Sequence, residues 1–91
     1  MRVKLTPQYN PGKAIAYTFG VDSFVAEMDG VTDTFDFSRV SELDPRQIKT
    51  ILPLNPVVQV DRVNGELRLT LINYIDKTAT ETEKFPEYVE V

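Results

Sequence analysis

The chain contains no cysteine and no histidine. Without cysteine it has neither disulfide bonds nor thiolate ligands for a metal, which fits a reducing compartment. Without histidine it lacks the commonest general base at neutral pH and the commonest metal ligand. Neither a Ser–His nor a Cys–His nucleophile pair can form. We therefore predict a protein that is not an enzyme and that holds no cofactor and no metal.

Basic residues are few and scattered, with 10 Lys and Arg against 14 Asp and Glu and a net charge of −4. Because nucleic-acid affinity comes largely from neutralising phosphates with basic side chains, we expect no nucleic-acid partner. Long hydrophobic runs are also missing, since no stretch approaches the roughly 20 apolar residues that span a bilayer. The N-terminus does not resemble a signal peptide. We expect a soluble protein with no membrane partner, in the cytoplasm or in a virion assembled there.

The composition that remains is typical of one globular domain. The chain has 91 residues, of which 42% are hydrophobic and 26% charged, so it suffices for one core and is too short for two. We predict a single domain over residues 1–91 with about six or seven short strands and at most one short helical turn. The fold class is all-β, mainly antiparallel, either a small β-sandwich or a partly open barrel.

A hairpin over residues 57–75 is predicted by the dipeptide Asn64-Gly65, because both residues tolerate the positive φ angles of a two-residue turn. Pairing outward from this turn separates an apolar face from a polar face. A shift of one residue would destroy that separation. The predicted pairs are Val60 with Leu69 and Val58 with Leu71 on the apolar face, and Asp61 with Arg68 and Gln59 with Thr70 on the polar face.

The dipeptide Asp29-Gly30 predicts a second hairpin in the same way. Asp33 falls on its apolar face, so we expect this carboxylate either at the rim of the core or bound to a partner group. The predicted pairs are Met28 with Val31, Phe24 with Phe35, Ala26 with Asp33, Glu27 with Thr32 and Val25 with Thr34.

Proline and glycine divide the rest of the chain. We predict a strand over residues 15–19, a short N-terminal strand around Val3 and Leu5, and a loop over residues 6–12, which contain two prolines and a glycine. Residues 85–91 predict an edge strand, because Pro86 is tolerated only at an edge.

Two segments have helical signals. Residues 44–52 are compatible with a helix or with extended chain; we favour a short helical turn around residues 41–47, capped by Asp44, and then an extended segment. In the polar link over residues 76–84, Thr80 and Glu83 have the spacing of a capping box.

Four residues are candidates for partner binding: Tyr9, Asp29, Asp33 and Asp36. Tyr9 lies between two prolines, where an exposed tyrosine suits a sugar or a protein partner; packing against its own loop is the alternative. The three aspartates form the densest acidic cluster, but they lack the ligand spacing of a calcium loop. On a strand, Asp33 and Asp36 also point to opposite faces. We therefore predict a turn and solvated strand residues there, with no metal site.

Four segments, residues 4–13, 29–37, 52–56 and 83–87, resemble small uncharacterised proteins of phages and prophages of Gram-positive bacteria. The resemblance covers nearly the whole chain. That group has no assigned activity, so the resemblance assigns no site residue. It implies a context, that of small accessory proteins often encoded near tail or other late genes.

The leading function hypothesis is a non-enzymatic phage or prophage accessory protein: a virion component, an assembly factor or an adaptor. It would recognise a protein partner, either a second copy or another phage or host protein, through strand edges near Pro53, Pro56 and Pro86. One alternative is an acidic binding module or inhibitor of a host macromolecule, since residues 22–44 hold seven acids and one base. Another is a small carbohydrate-binding domain that uses Tyr9.

Overall fold

About half of the residues lie in strands in the computed structural model, which describes residues 1–91 except for the side chain of Glu42. The described chain has eight strands, one helix of four residues and one 3-10 turn. The strands are β1 (Arg2–Tyr9), β2 (Ala16–Phe19), β3 (Ser23–Met28), β4 (Val31–Asp36), β5 (Glu42–Leu43), β6 (Val57–Val63), β7 (Glu66–Ile75) and β8 (Val89–Glu90); the helix is α1 (Glu81–Lys84) and the 3-10 turn spans Pro45–Gln47.

The strands form two sheets. Sheet A has five strands in the order β5-β6-β7-β1-β8, and sheet B has three in the order β2-β3-β4. Neighbouring strands are antiparallel except β1 and β7, which are parallel. The buried residues of both sheets form one hydrophobic cluster. The predicted all-β, mainly antiparallel fold with two hairpins is therefore confirmed, as a small two-sheet sandwich.

The β3–β4 hairpin has the predicted register at every pair, from Met28 with Val31 to Phe24 with Phe35. Its turn residues Asp29 and Gly30 have φ angles of 51° and 78°. These left-handed values match the right-handed twist of the flanking strands, and for this reason an Asp-Gly pair favours a two-residue hairpin turn.

The β6–β7 hairpin has the predicted register near its turn and departs from it at the far end. A β-bulge lies between Val57 and Gln59, so Leu71 faces Val57 and not Val58. Val57 is 5% exposed and Val58 48% exposed, so the prediction for Val58 is wrong. The carbonyl of the buried Pro56 accepts the Ile72 N–H at 2.9 Å, and this bond draws the chain before the bulge towards the core.

The N-terminal strand is longer than predicted. Residues 6–9 belong to β1 and pair with β7 as far as Tyr9 and Ile75, so the loop prediction is wrong for these residues. Pro7 does not interrupt the pairing, because alternate residues of a strand direct their backbone groups to opposite sides. The N–H that Pro7 lacks belongs to the side facing away from β7.

Both helical signals correspond to short elements, but the turn predicted around residues 41–47 is limited to Pro45–Gln47, and Glu42–Leu43 form the strand β5 instead. Asp44 caps the 3-10 turn by accepting the Arg46 N–H at 3.0 Å, and Ile48 leaves the turn in extended conformation. Thr80 and Glu83 form the predicted capping box of α1. β8 is the predicted edge strand in the C-terminal segment. No helix of the described residues is long and apolar enough to cross a membrane.

The core lies between the two sheets. From sheet A, Leu67, Leu69 and Leu71 are fully buried, and from sheet B the Phe24 and Phe35 rings stack with centroids 4.7 Å apart. Tyr17 of β2 reaches across and donates its hydroxyl to the Ile72 carbonyl of β7 at 2.6 Å. Burial, with Tyr74 nearby, raises the pKa of Tyr17 well above its usual range, so its hydroxyl stays protonated as a donor.

Arg62 connects sheet A to the loops that flank sheet B. Its guanidinium donates to the carbonyls of Val40 (2.6 Å), Phe37 (3.0 Å) and Gly65 (3.0 Å), and to the Asp22 carboxylate (3.0 Å). The Arg62 side chain is 19% exposed. A planar guanidinium can serve several acceptors in fixed directions at once, which a lysine ammonium cannot.

We predict that Arg62→Met lowers the free energy of unfolding by about 2–4 kcal/mol, because it leaves the half-buried Asp22 carboxylate and three carbonyls without their donor. Urea denaturation measures the change. The control is Arg46→Met, whose side chain is 90% exposed beside Asp44; we expect it to cost less than about 1 kcal/mol. Equal losses in the two variants would contradict the role given to Arg62.

Candidate functional site

The four residues singled out from the sequence do not form one site. Tyr9 lies at the end of β1 in sheet A, where it is 64% exposed. Asp29, Asp33 and Asp36 lie along the β3–β4 hairpin of sheet B, at its turn, in β4 and at the end of β4. Among the described residues, no group of three or more acidic side chains is placed to hold a metal ion.

Each of the three aspartates is bound within the chain. Asp29 pairs with Lys13 at 3.4 Å, and Asp36 accepts the Ser38 N–H at 2.9 Å, a bond that lowers the pKa of Asp36. Asp33 has the partner that the sequence left unidentified. Its carboxylate accepts the Thr50 hydroxyl at 2.7 Å and the Ile51 N–H at 3.2 Å. Asp33 thus ties the loop after the 3-10 turn to β4.

The other acids of residues 22–44 have similar internal roles. Asp22 binds Arg62, and Asp44 binds Arg46 with an Nη2–Oδ2 distance of 2.8 Å. Glu27 is exposed, and the side chain of Glu42 lies outside the described part of the chain. Most acids of residues 22–44 therefore bind groups of their own loops, so few of their carboxylates remain available to bind a partner.

We predict that Thr50→Val raises the pKa of Asp33 towards its ordinary value, because the Thr50 hydroxyl is the largest cause of the lowered pKa. In the wild type a lowered native pKa means that Asp33 contributes stability above its unfolded pKa of about 3.9 and loses that contribution as pH falls through the native pKa. Carboxyl carbon NMR from about pH 7 to about pH 2 measures this pKa. An unchanged pKa in the variant would contradict the assignment.

Beyond the short strand β8, no strand pairs with the outer edge of β1, and α1 lies close to β1. The Asn10 N–H donates to the Ile75 carbonyl of β7 at 2.9 Å, and the Met1 carbonyl accepts the Val91 N–H at 3.2 Å on the opposite side. Even-numbered residues of β1 therefore direct their backbone groups to β7, and odd-numbered residues direct theirs to the other side. β8 covers that side only at Arg2 and Val3.

The outward backbone groups beyond β8 have no backbone partner in the described residues. They are the N–H and C=O of Leu5 and Tyr9 and the C=O of Pro7. β8 stops short of them: it spans only Val89–Glu90, and the chain before Val89 does not pair with β1. Five ladder groups are thus available along one strand edge.

A groove of about 520 Å³ lies beside this edge. Its walls are β1, the end of β7 and the C-terminal segment. Val3 and Leu5 contribute apolar surface from β1, and Phe85, which is 73% exposed, contributes apolar surface from the opposite wall. The remaining lining residues are Asn73, Glu81, Thr82, Glu83, Pro86, Glu87 and Val89.

Tyr88 holds the C-terminal wall of the groove against the outer face of sheet A. The Arg68 guanidinium carbon lies 4.1 Å from the centre of the Tyr88 ring and the Lys4 ammonium 5.2 Å from it, both cation–π contacts. The Tyr88 hydroxyl lies 3.1 Å from the Thr70 hydroxyl, within hydrogen-bond distance.

Arg68 and Asp61 face each other in the predicted register but do not pair as ions. Asp61 instead accepts the side-chain amide of Gln59 at 3.2 Å. The Arg68 Nε is buried and has no hydrogen-bond partner among the described residues. The Arg68 guanidinium stacks on the Tyr88 ring and does not pair with the Asp61 carboxylate.

Sequence reasoning placed Pro86 correctly near a strand edge and missed the open edge of β1. Of its two other edge candidates, Pro56 is fully buried and Pro53 belongs to no strand. The sequence did contain a signal for this strand. Charged and apolar residues alternate over Arg2, Val3, Lys4 and Leu5, and polar and apolar residues continue to alternate past Pro7 if that proline is interpreted as an edge residue.

We predict that Tyr88→Ala releases the C-terminal wall, because it removes two cation–π contacts and a hydrogen bond. The Val89 and Val91 amides should exchange with solvent about 10-fold faster or more, measured by NMR hydrogen exchange. Tyr9→Ala is the control, since Tyr9 is an exposed tyrosine outside this contact. Unchanged exchange in Tyr88→Ala would show that β8 is held by other contacts.

Comparison with known proteins identifies no relative. The chain matches no protein-family model, no curated protein and no solved structure. The resemblance to phage and prophage proteins therefore stays a prediction.

Proposed function

We propose that this chain is a non-enzymatic protein-recognition module that binds an extended segment of a partner protein along the open edge of β1. The observation that carries the proposal is the row of outward backbone groups at Leu5, Pro7 and Tyr9 beside an apolar groove. Strand addition of this kind obtains affinity from backbone hydrogen bonds and specificity from pockets that receive alternate side chains.

Pro7 favours a different protein over a second copy as the partner. If two β1 edges paired with each other, the partner strand would bring a second Pro7 that also lacks a donor, and the shared ladder would lose a bond at each proline. Proline on an edge strand is a common protection against edge-to-edge association. A partner strand with all its N–H groups keeps the bond to the Pro7 carbonyl.

The phage or prophage context is part of the proposal and rests on the resemblance. In that context the chain would be a virion component, an assembly factor or an adaptor that captures a strand of a neighbouring phage protein. Mass spectrometry of particles and assembly intermediates from an induced lysogen carrying the gene tests the context. Finding the chain there supports it, and finding the chain in neither contradicts it.

We predict that Pro7→Ala strengthens binding of an extended peptide, because it adds one outward N–H to the edge. One more hydrogen bond corresponds to about 2- to 10-fold in affinity. The probe is a soluble peptide of about seven residues that alternates Thr and Met, titrated into labelled protein and followed by NMR. We expect the amide shifts to concentrate at Leu5, Tyr9 and residues 81–89.

A matched pair of variants tests the loss of an outward N–H, at Tyr9. Tyr9→Ala and Tyr9→Pro both remove the ring, but only the proline variant removes the outward N–H. We expect Tyr9→Pro to bind the peptide more weakly than Tyr9→Ala. Equal affinity in these two variants, together with no gain in Pro7→Ala, would overturn strand addition at this edge.

Carbohydrate binding is the second candidate, favoured by the exposure of Tyr9. Stacking of a sugar needs the ring and not the backbone N–H. A glycan panel that shifts the Tyr9 ring signals in the wild type, with loss of binding in Tyr9→Ala, would support this alternative over strand addition.

A further inference from the structure

The groove beside β1 has apolar walls and an acidic rim. Three of its lining residues are glutamates, Glu81, Glu83 and Glu87, and none of the described lining residues is Lys or Arg. The Glu83 carboxylate is occupied in the capping box, where it accepts the Thr80 N–H at 2.9 Å. The side-chain carboxylates of Glu81 and Glu87 make no hydrogen bond or ion pair to the described residues, although the Glu81 carbonyl accepts the Phe85 N–H at 2.9 Å. Two carboxylates at the rim therefore remain without a cation.

The nearest basic residues of β1 do not neutralise this rim. Arg2 and Lys4 are even-numbered and stand on the opposite face of sheet A from Val3 and Leu5. Arg2 pairs with Glu66 at 2.9 Å and lies 3.7 Å from Glu90, and Lys4 lies over the Tyr88 ring. Both cations are committed outside the groove, and Lys84 of α1 does not line the groove and forms no ion pair with the described residues.

We infer that the segment received by the β1 edge carries a lysine or arginine whose side chain enters this groove. The inference rests on the proposed function, and it names the chemistry of the partner. Lys and Arg have an apolar stem and a charged head, and they cover apolar surface while the head reaches a polar rim. Here the stem contacts Leu5 and Phe85, and the head reaches Glu81 or Glu87. Charge complementarity of this kind selects partners and speeds their association.

The test compares three peptides of about seven residues that alternate Thr with Lys, with Met or with Glu. Met matches the length of the lysine stem and lacks the charge, so the Lys and Met peptides separate charge from apolar contact. We expect the Lys peptide to bind about 3- to 10-fold more tightly than the Met peptide and the Glu peptide to bind most weakly. The advantage of Lys should shrink when NaCl rises from about 0.05 M to about 0.5 M.

Two double variants locate the effect. Glu81→Gln with Glu87→Gln should remove the advantage of the Lys peptide and leave binding of the Met peptide unchanged. Glu27→Gln with Asp29→Asn makes the same change in net charge on sheet B and should keep the advantage. A Lys advantage that persists in the first variant, or disappears equally in both, would overturn the assignment to the groove.

The outcomes separate this inference from the proposed function. If the Met peptide shifts the Leu5 and Tyr9 amides and Lys adds no affinity, a cationic partner is excluded and strand addition stands. If the Glu peptide binds most tightly, the groove prefers a negatively charged side chain, and the inference of a cationic partner is wrong. If none of the three peptides shifts these amides, strand addition and the cationic partner are both overturned.

Discussion

The parallel pairing of β1 with β7 is the constraint on which the rest of the structure depends. It joins eight residue pairs, from Arg2 with Arg68 to Tyr9 with Ile75. Because parallel strands need a long crossover, sheet B and the β5–β6 region all lie in the chain between these two strands. The pairing buries Val3 in the core, carries Lys4 to the Tyr88 ring, and leaves the odd-numbered backbone groups of β1 facing outward. The candidate site follows from this geometry.

Two side chains anchor loops to sheet A, and the second of them holds a wall of the candidate site. Arg62 fixes the loops around sheet B to sheet A through carbonyls and the Asp22 carboxylate. Tyr88 fixes the C-terminal segment to the outer face of sheet A, so Phe85 and Pro86 form the far wall of the groove. A binding groove between a strand edge and a short terminal segment needs such anchors, because the segment itself buries little apolar surface. The acidic residues of the β3–β4 region serve the same structural purpose in their own loops.

Local signals made much of the fold predictable. Asp29-Gly30 and Asn64-Gly65 set both hairpins and most of their registers, and Thr80 with Glu83 set the helix start, because each signal acts over a few residues. The rest depended on distant partners. The bulge at Val58 follows from the bond between Pro56 and Ile72, and the role of Arg62 from an acid 40 residues away.

The groove could not be predicted from the sequence, because it also depends on contacts between distant residues. It joins the first residues of the chain to the last, and no local pattern reports that contact. The loop prediction for residues 6–9 was wrong because Pro7 was taken as a sign that the strand had ended. Pro7 instead lies within β1, with its missing N–H on the outer edge. For Tyr9 the sequence left two alternatives, exposure or packing against its own loop; the side chain is exposed, and its outward N–H lies on the edge of β1.

Amide hydrogen exchange along β1 in the free protein tests the central claim most directly, because it needs no partner. The amides of Lys4, Thr6, Gln8 and Asn10 face β7 and should be protected, while those of Leu5 and Tyr9 face the open edge and should exchange freely. This two-residue alternation is the result that the open edge predicts. Equal protection of Leu5 and Tyr9 would mean that their N–H groups are already bonded, and the edge proposed to receive a partner strand would not exist.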